Sequence, residues 1–317
     1  MTTHSWRRAS AQLAVALTVT ITPFTAWGWS DATHVYMAKH TDKAAGQVAS
    51  NEMCNRLYGS VAVDMFAYDF SIEGQTLHAL LHDRTMTLPV LPWDFATTDA
   101  ERALAYGLAS HNNTWGTDAT AHIDGITAGN RNGYVIAKAQ LLAGIPQFRD
   151  AVLPLVGGNE ETLLLVSHIL VEFSIDLAVA DSEPAIAGDM VAAAFACPEP
   201  AGVEFLVDAW GPPVEPFLSP GVPEAKIRYA FQAYRFWLAG YGTALQQPNA
   251  QKVVAGEVAK VASEFLRVPP EYIPYLAVVI DGALGAGKAL VAADLQEELD
   301  ATIGRVNAEL STRKIGP

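Results

Sequence analysis

His111, Asp118 and His122 stand at i, i+7 and i+11. On a helix those three side chains fall within about 40° of one another. His168 and Glu172 form a second pair at i, i+4, inside the most apolar run of the chain. Imidazole nitrogen and carboxylate oxygen one helical turn apart make the donor pair of a zinc site that uses no sulfur. An unpaired carboxylate buried at Glu172 would be strongly unfavourable, and coordination to a cation removes that penalty. A plain hydrogen-bonded His–Glu pair is the competing account, and the other ligand candidates weigh against it.

Geometry constrains the first cluster. Seven residues of straight helix rise ~10.5 Å, too far for His111 and Asp118 to close on one ion. Either the two serve different ions or the helix breaks between them. Asn112, Asn113, Thr114 and Gly116 have weak helix propensity, so a bulge or loop is expected there. The two cysteines, Cys54 and Cys197, stand in no zinc-ligand spacing. One disulfide or two buried thiols remain open for them, and any metal site uses nitrogen and oxygen only.

The elements that must position these residues read as helical. Candidate helices run Val35–Val48, Asp99–Ser110 with Asp99 as N-cap, Gly133–Leu142, Glu160–Ala178, Pro184–Ala196, Pro223–Leu245, Ala250–Leu266 and Ala289–Ser311. No strand pattern, repeat or heptad run stands out. Leu88–Thr98 and the proline-rich stretch Cys197–Pro223 read as loops, the latter as a candidate domain boundary.

The chain has 317 residues, half of them hydrophobic, with 34 Asp+Glu against 20 Lys+Arg and a net charge of −14. A surface that acidic does not attract long polyanions by its general field. Bound dications can still hold phosphate locally. Arg7, Arg8 and the apolar Ala11–Phe24 read as a signal peptide, too short to span a bilayer. A cut after Gly28, with Ala26 at −3, makes residues 1–28 the signal and Trp29 the mature N-terminus.

Together these residues resemble the zinc-dependent phospholipase C family and the related single-strand-specific zinc nucleases. Trp29-Ser30-Asp31-Ala32-Thr33-His34 matches the nuclease-type Trp-x4-His start. Gly59 to Asp64 matches a Gly-x-x-x-Pro-Asp segment, with Val63 where proline is common. His78 follows Asp64 at the family spacing, with His82-Asp83 as a competitor. A His–Asp–His cluster is matched by His111, Asp118 and His122, although seven residues separate His111 from Asp118 where the family has four. His168 and Glu172 match the closing His-x3-Asp/Glu.

The resemblance implies an all-α, multi-helix bundle: one helical domain over 29–317, with a metal-binding core at 29–180 and a helical extension of unassigned role at 181–317. It implies three zinc ions. Asp64, His78, His111 and Asp118 would hold the first; Trp29, His34 and the bridging Asp118 the second; His122, His168 and Glu172 the third. Asp64 would double as the base for an attacking water. The implied activity is phosphodiester hydrolysis by an exported, secreted or periplasmic enzyme. A phospholipid or membrane surface is the expected partner, and no protein partner is inferred. A nuclease acting on single-stranded nucleic acid is the alternative, and an inactive zinc-stabilised binding protein the third reading. Trp115, Phe66 and Tyr68 are candidate pocket residues, with the core as the commoner fate of each.

Overall fold

The computed structural model describes residues 29–41, 52–67, 69–127, 132–196, 201–265 and 268–316. Every regular element among them is helical. The signal-peptide reading, Tyr68 and Cys197 lie outside the described residues, and so does any Cys54–Cys197 pairing.

The first half holds α1 (Asp31–His40), α2 (Met53–Ala62), a 3-10 turn (Val63–Phe66), α3 (Ile72–Leu81), α4 (Pro92–Phe95), α5 (Asp99–His111) and α6 (Thr117–His122). Then come α7 (Tyr134–Ala143), α8 (Pro146–Val152) and the long α9 (Glu160–Ser182). The remainder comprises α10 (Ala185–Ala196), α11 (Ala201–Val214), α12 (Val222–Leu245), α13 (Ala250–Phe265), α14 (Ile273–Val291) and α15 (Leu295–Thr312). A contiguous apolar core runs from Trp29 to Leu299.

Helix α9 is the central strut. The Asn159 side chain accepts from the Thr162 amide at 3.0 Å, and Glu160 and Glu161 complement the helix dipole. Helix α5 starts one residue differently from the expectation. Thr98 is the N-cap, in a capping box with Glu101, and Asp99 is the first helical residue.

The closest crossing sets the first site. A Cβ on Gly59 of α2 would lie 2.2 Å from the Leu104 carbonyl oxygen of α5, and one on Gly107 would lie 2.2 Å from that of Arg56. Only glycine at both places lets the backbones touch. This brings Ser60 and Asp64 of the α2 segment up to the end of α5.

Several expectations are corrected by packing. Helix α1 begins at Asp31, ahead of Val35, because a carboxylate from α9 caps it. The expected loop Cys197–Pro223 contains α11, whose Pro212 and Pro213 stand in its last turn without an N–H to donate, and the helix ends at Val214. The expected helix Ala289–Ser311 is two helices. The chain turns at 292–294, where Tyr134 Oη and Lys138 Nζ both bond Asp294 at 2.7 Å. Helix α14 was not anticipated; its Gly287 packs against Ser174 of α9 so closely that a Cβ would lie 2.2 Å from Ser174 Oγ. The proposed division at 180 falls inside α9.

The segment after α9 supports the one before it. Thr302 Oγ1 of α15 bonds Thr120 Oγ1 of α6 at 3.0 Å. The buried Glu298 carboxylate accepts from the amides of Ile126 and Thr127. Trp115 packs with Val306, Leu310 and Ile315, with the Arg313 guanidinium 4.9 Å above its ring, so it is a core residue. Phe66 is fully buried as well.

Candidate metal centre

Helix α5 ends at His111 and α6 begins at Thr117, so the helix does break where the rise argument requires. Asn112 makes the break: its Oδ1 accepts from the amides of Thr114 (2.9 Å), Trp115 (3.0 Å) and Gly116 (3.3 Å). Gly116 passes so near Ser110 that a Cβ there would lie 2.5 Å from the Ser110 carbonyl oxygen. The loop folds Asp118 back beside His111.

Asp64, His82, His111 and Asp118 then approach one another pairwise. His111 Nε2 is 3.1 Å from Asp118 Oδ2 and 3.7 Å from Asp64 Oδ2. His82 Nε2 is 3.1 Å from Asp64 Oδ1 and 3.6 Å from Asp118 Oδ2. Two donors bound tetrahedrally to one zinc stand about 3.3 Å apart, given bonds near 2.0–2.1 Å. The spacing therefore suits a shared cation. His34 Nε2 lies 3.3 Å from the other Asp118 oxygen, Oδ1, so Asp118 faces two sides as a bridging carboxylate does.

The imidazoles are held from behind. His111 Nδ1 bonds the Ser60 carbonyl at 2.8 Å, His82 Nδ1 the His78 carbonyl at 2.8 Å, and His34 Nδ1 the Thr117 hydroxyl at 3.1 Å. Anchoring one ring nitrogen fixes the tautomer and aims the other inward, the usual outer arrangement of metal-binding histidines. The His34 and His111 rings stack with centroids 4.0 Å apart. Trp29 joins this side through its indole N–H, which donates to Thr117 O at 3.0 Å and approaches Thr120 Oγ1 at 3.2 Å.

A second group forms on α6 and α9. His168 Nε2 is 2.6 Å from Glu172 Oε1, and His122 Nε2 is 3.9 Å from the same oxygen. His122, His168 and Glu172 thus converge, and three overlapping triads form on the other side: His34, Asp64 and His111; Asp64, His78 and His82; and His82, His111 and Asp118. His40 lies elsewhere, on Glu183 at 2.7 Å.

The electrostatics call for positive charge. Burial raises the Asp64 and Asp118 carboxyls, but neighbouring histidines, His111 foremost, bring both below the ordinary range. Burial lowers His111, yet Asp118 and Asp64 push it up to about 9, so a proton there partly stands in for a cation. Burial lowers His122 to about 4 and His78 to about 3, leaving both neutral with a free lone pair. Glu172 is pushed well up, by burial and then by Asp64 and Asp118. Both nitrogens of His78 and His122 Nε2 are buried with no hydrogen-bond partner, while His34 Nε2, His111 Nε2 and the Asp118 oxygens meet one another as ion pairs. Native proteins rarely leave such atoms unpaired. The residues fit one or more divalent ions that accept nitrogen and oxygen donors.

Two features escaped the sequence reading. His82, treated there as a competitor of His78, stands in two of the triads, one of them with His78 itself. Asp176, one turn beyond Glu172, is fully buried and binds the start of α1: Oδ2 accepts from Ala32 N (3.0 Å), Oδ1 from Thr33 N (2.8 Å) and Thr33 Oγ1 (2.6 Å). The stripe His168-x3-Glu172-x3-Asp176 stands in the sequence at the i, i+4 spacing that could have found it. No family model matches this chain, and neither a curated protein nor a solved structure was found to be similar to it.

Proposed function

We propose that this protein is an exported, zinc-dependent phosphodiester hydrolase of the phospholipase C type. The observation that carries the reading is the convergence of the two donor groups around buried nitrogen and oxygen atoms. Asp64, His111 and Asp118, with a histidine from α3, would hold one ion. His34 and the far oxygen of Asp118, with Trp29 alongside, would hold a second, and His122, His168 and Glu172 a third.

Bound zinc would lower the pKa of a water and offset charge on phosphate oxygens. The chain's own residues do the rest. Asp118 keeps the His34 and His111 sides in register. Asp64 has a side chain 10 % exposed, against 0 % for Asp118, so it is the cluster carboxylate nearest solvent. It stays ionised and can take a proton from an attacking water. Helix α6 puts His122 beside this carboxylate pair while α9 supplies His168 and Glu172, so one phosphate could meet both groups.

One observation favours lipid over nucleic acid. Helix α9 walls an apolar pocket of about 140 Å³ through Leu165, Ile169 and Phe173, lined on its other sides by Phe70, Trp237 and Val279. A lining with so little polar character suits alkyl chains. The test measures diacylglycerol released from phosphatidylcholine vesicles and mononucleotides released from single-stranded DNA, alongside metal content and N-terminal sequencing. Expected are three zinc per chain, Trp29 as first residue and diacylglycerol as product. Mononucleotides would assign the nuclease. Zinc without either product would assign a binding protein, and no zinc would end the metal reading. Asp118→Asn should lose activity and two of the three ions together; activity surviving that change would refute the bridge.

A further inference from the structure

His78 is 1 % exposed, and neither ring nitrogen has a hydrogen-bond partner. It differs in this from His34, His82 and His111, each of which has Nδ1 anchored. A neutral imidazole carries one N–H and one lone pair, and burying both unpaired is unfavourable. The ring is not misplaced by loose packing. It lies in the last turn of α3, its own carbonyl anchors His82 at 2.8 Å, and its centroid is 4.2 Å from that of His82. Asp64, His78 and His82 each present a donor atom, all within 4.8 Å of one another.

We propose that His78 and His82 both donate to the first ion. His82 belongs to two triads, one with His111 and Asp118 and one with Asp64 and His78, so it links His78 to the His111 side. The centre would then carry one imidazole more than the family resemblance supplies. The i, i+4 spacing on α3 makes this feasible, because it stacks the two rings on one helix face. The ion expected there is a divalent transition metal, since imidazole-rich donor sets select such ions over magnesium or calcium. The inference rests on the metal reading above.

The experiment loads the full chain with Co²⁺ and records its visible d–d spectrum and metal content for the parent, His78→Ala and His82→Ala. His78→Gln is included as a variant of closer shape, with circular dichroism to verify folding. Each histidine variant should alter the spectrum, and each should weaken one ion at least tenfold while the others stay. A His78→Gln or His78→Ala spectrum superimposable on that of a loaded parent would overturn the proposal and leave the metal reading standing. A parent that binds no cobalt would overturn both.

Discussion

Asp176 offers the sharpest test of how the site is held. Its carboxylate is fully buried, pushed up by that burial and brought part of the way back by bonds to Thr33 and Ala32. Replacing it by alanine removes three bonds to the first turn of α1, where backbone amides lack intrahelical acceptors. Thr33 N keeps a second acceptor, Ser30 O at 3.1 Å, whereas Ala32 N would keep none. An orphaned buried amide costs about 1–3 kcal/mol, and the two bonds to Thr33 add roughly 0.5–1.5 kcal/mol each. Relief of carboxylate desolvation offsets part of this, so a net loss of about 3 kcal/mol is expected. For a chain of this size that lowers Tm by roughly 4–6 °C. Asp176→Asn should fall between, since its carbonyl can still serve Thr33 while its NH₂ confronts the Ala32 amide. The assay is thermal unfolding of the metal-free protein, followed by zinc titration. The shift in α1 should also weaken zinc on the His34 side. An Asp176→Ala protein melting within about 2 °C of the parent would show that α1 is held by its apolar face alone.

Chelation should destabilise the chain, because the ions bind the folded state only; a free metal concentration of 1,000 Kd at one site is worth about 4 kcal/mol. Equal melting with and without a strong chelator would count against any metal in the core. In the metal-free protein, His122 is held down to about 4 by burial, against 6.5 for an ordinary histidine. The unfolded chain therefore binds the extra proton first, and stability should fall as pH drops from about 6.5 through 4. Urea midpoints of parent and His122→Gln across that window should show a smaller fall in the variant, and parallel profiles would contradict the assignment. Gly107→Ala places a methyl 2.2 Å from the Arg56 carbonyl oxygen and should force α2 from α5. A loss of about 1–3 kcal/mol is expected from such overpacking, together with weaker zinc binding, since Ser60 would leave His111. Unchanged stability would mean that the crossing is softer than the backbone contact implies.

Local chemistry carried much of the site into the sequence. An acid and a histidine one turn apart in an apolar run need a partner wherever the helix packs, so His168 and Glu172 were legible before any fold was known. The helix break between His111 and Asp118 was legible too, because rise per residue is a property of the backbone and Asn112 to Gly116 are poor helix formers. The all-helical character followed from composition and periodicity. Choices between neighbours did not. His78 and His82 share a helix face, and only the position of Asp64 and Asp118 decides which nitrogen completes a polyhedron. Nothing in the residues beside Asp31 or Asp176 tells what each will meet. Burial made Asp176 the cap of α1, and burial set Asp31 against Tyr234 and Trp237 of α12. The turn at 292–294 escaped notice because its cause, Lys138 and Tyr134 on Asp294, lies some 150 residues away in the chain. The sequence by itself determined the donor types, their helical spacing and the break that lets them meet, since these depend on residues close in the chain. Which of these side chains approach one another, and what holds them there, only the tertiary structure decided, because those distances are set by helices that meet through packing.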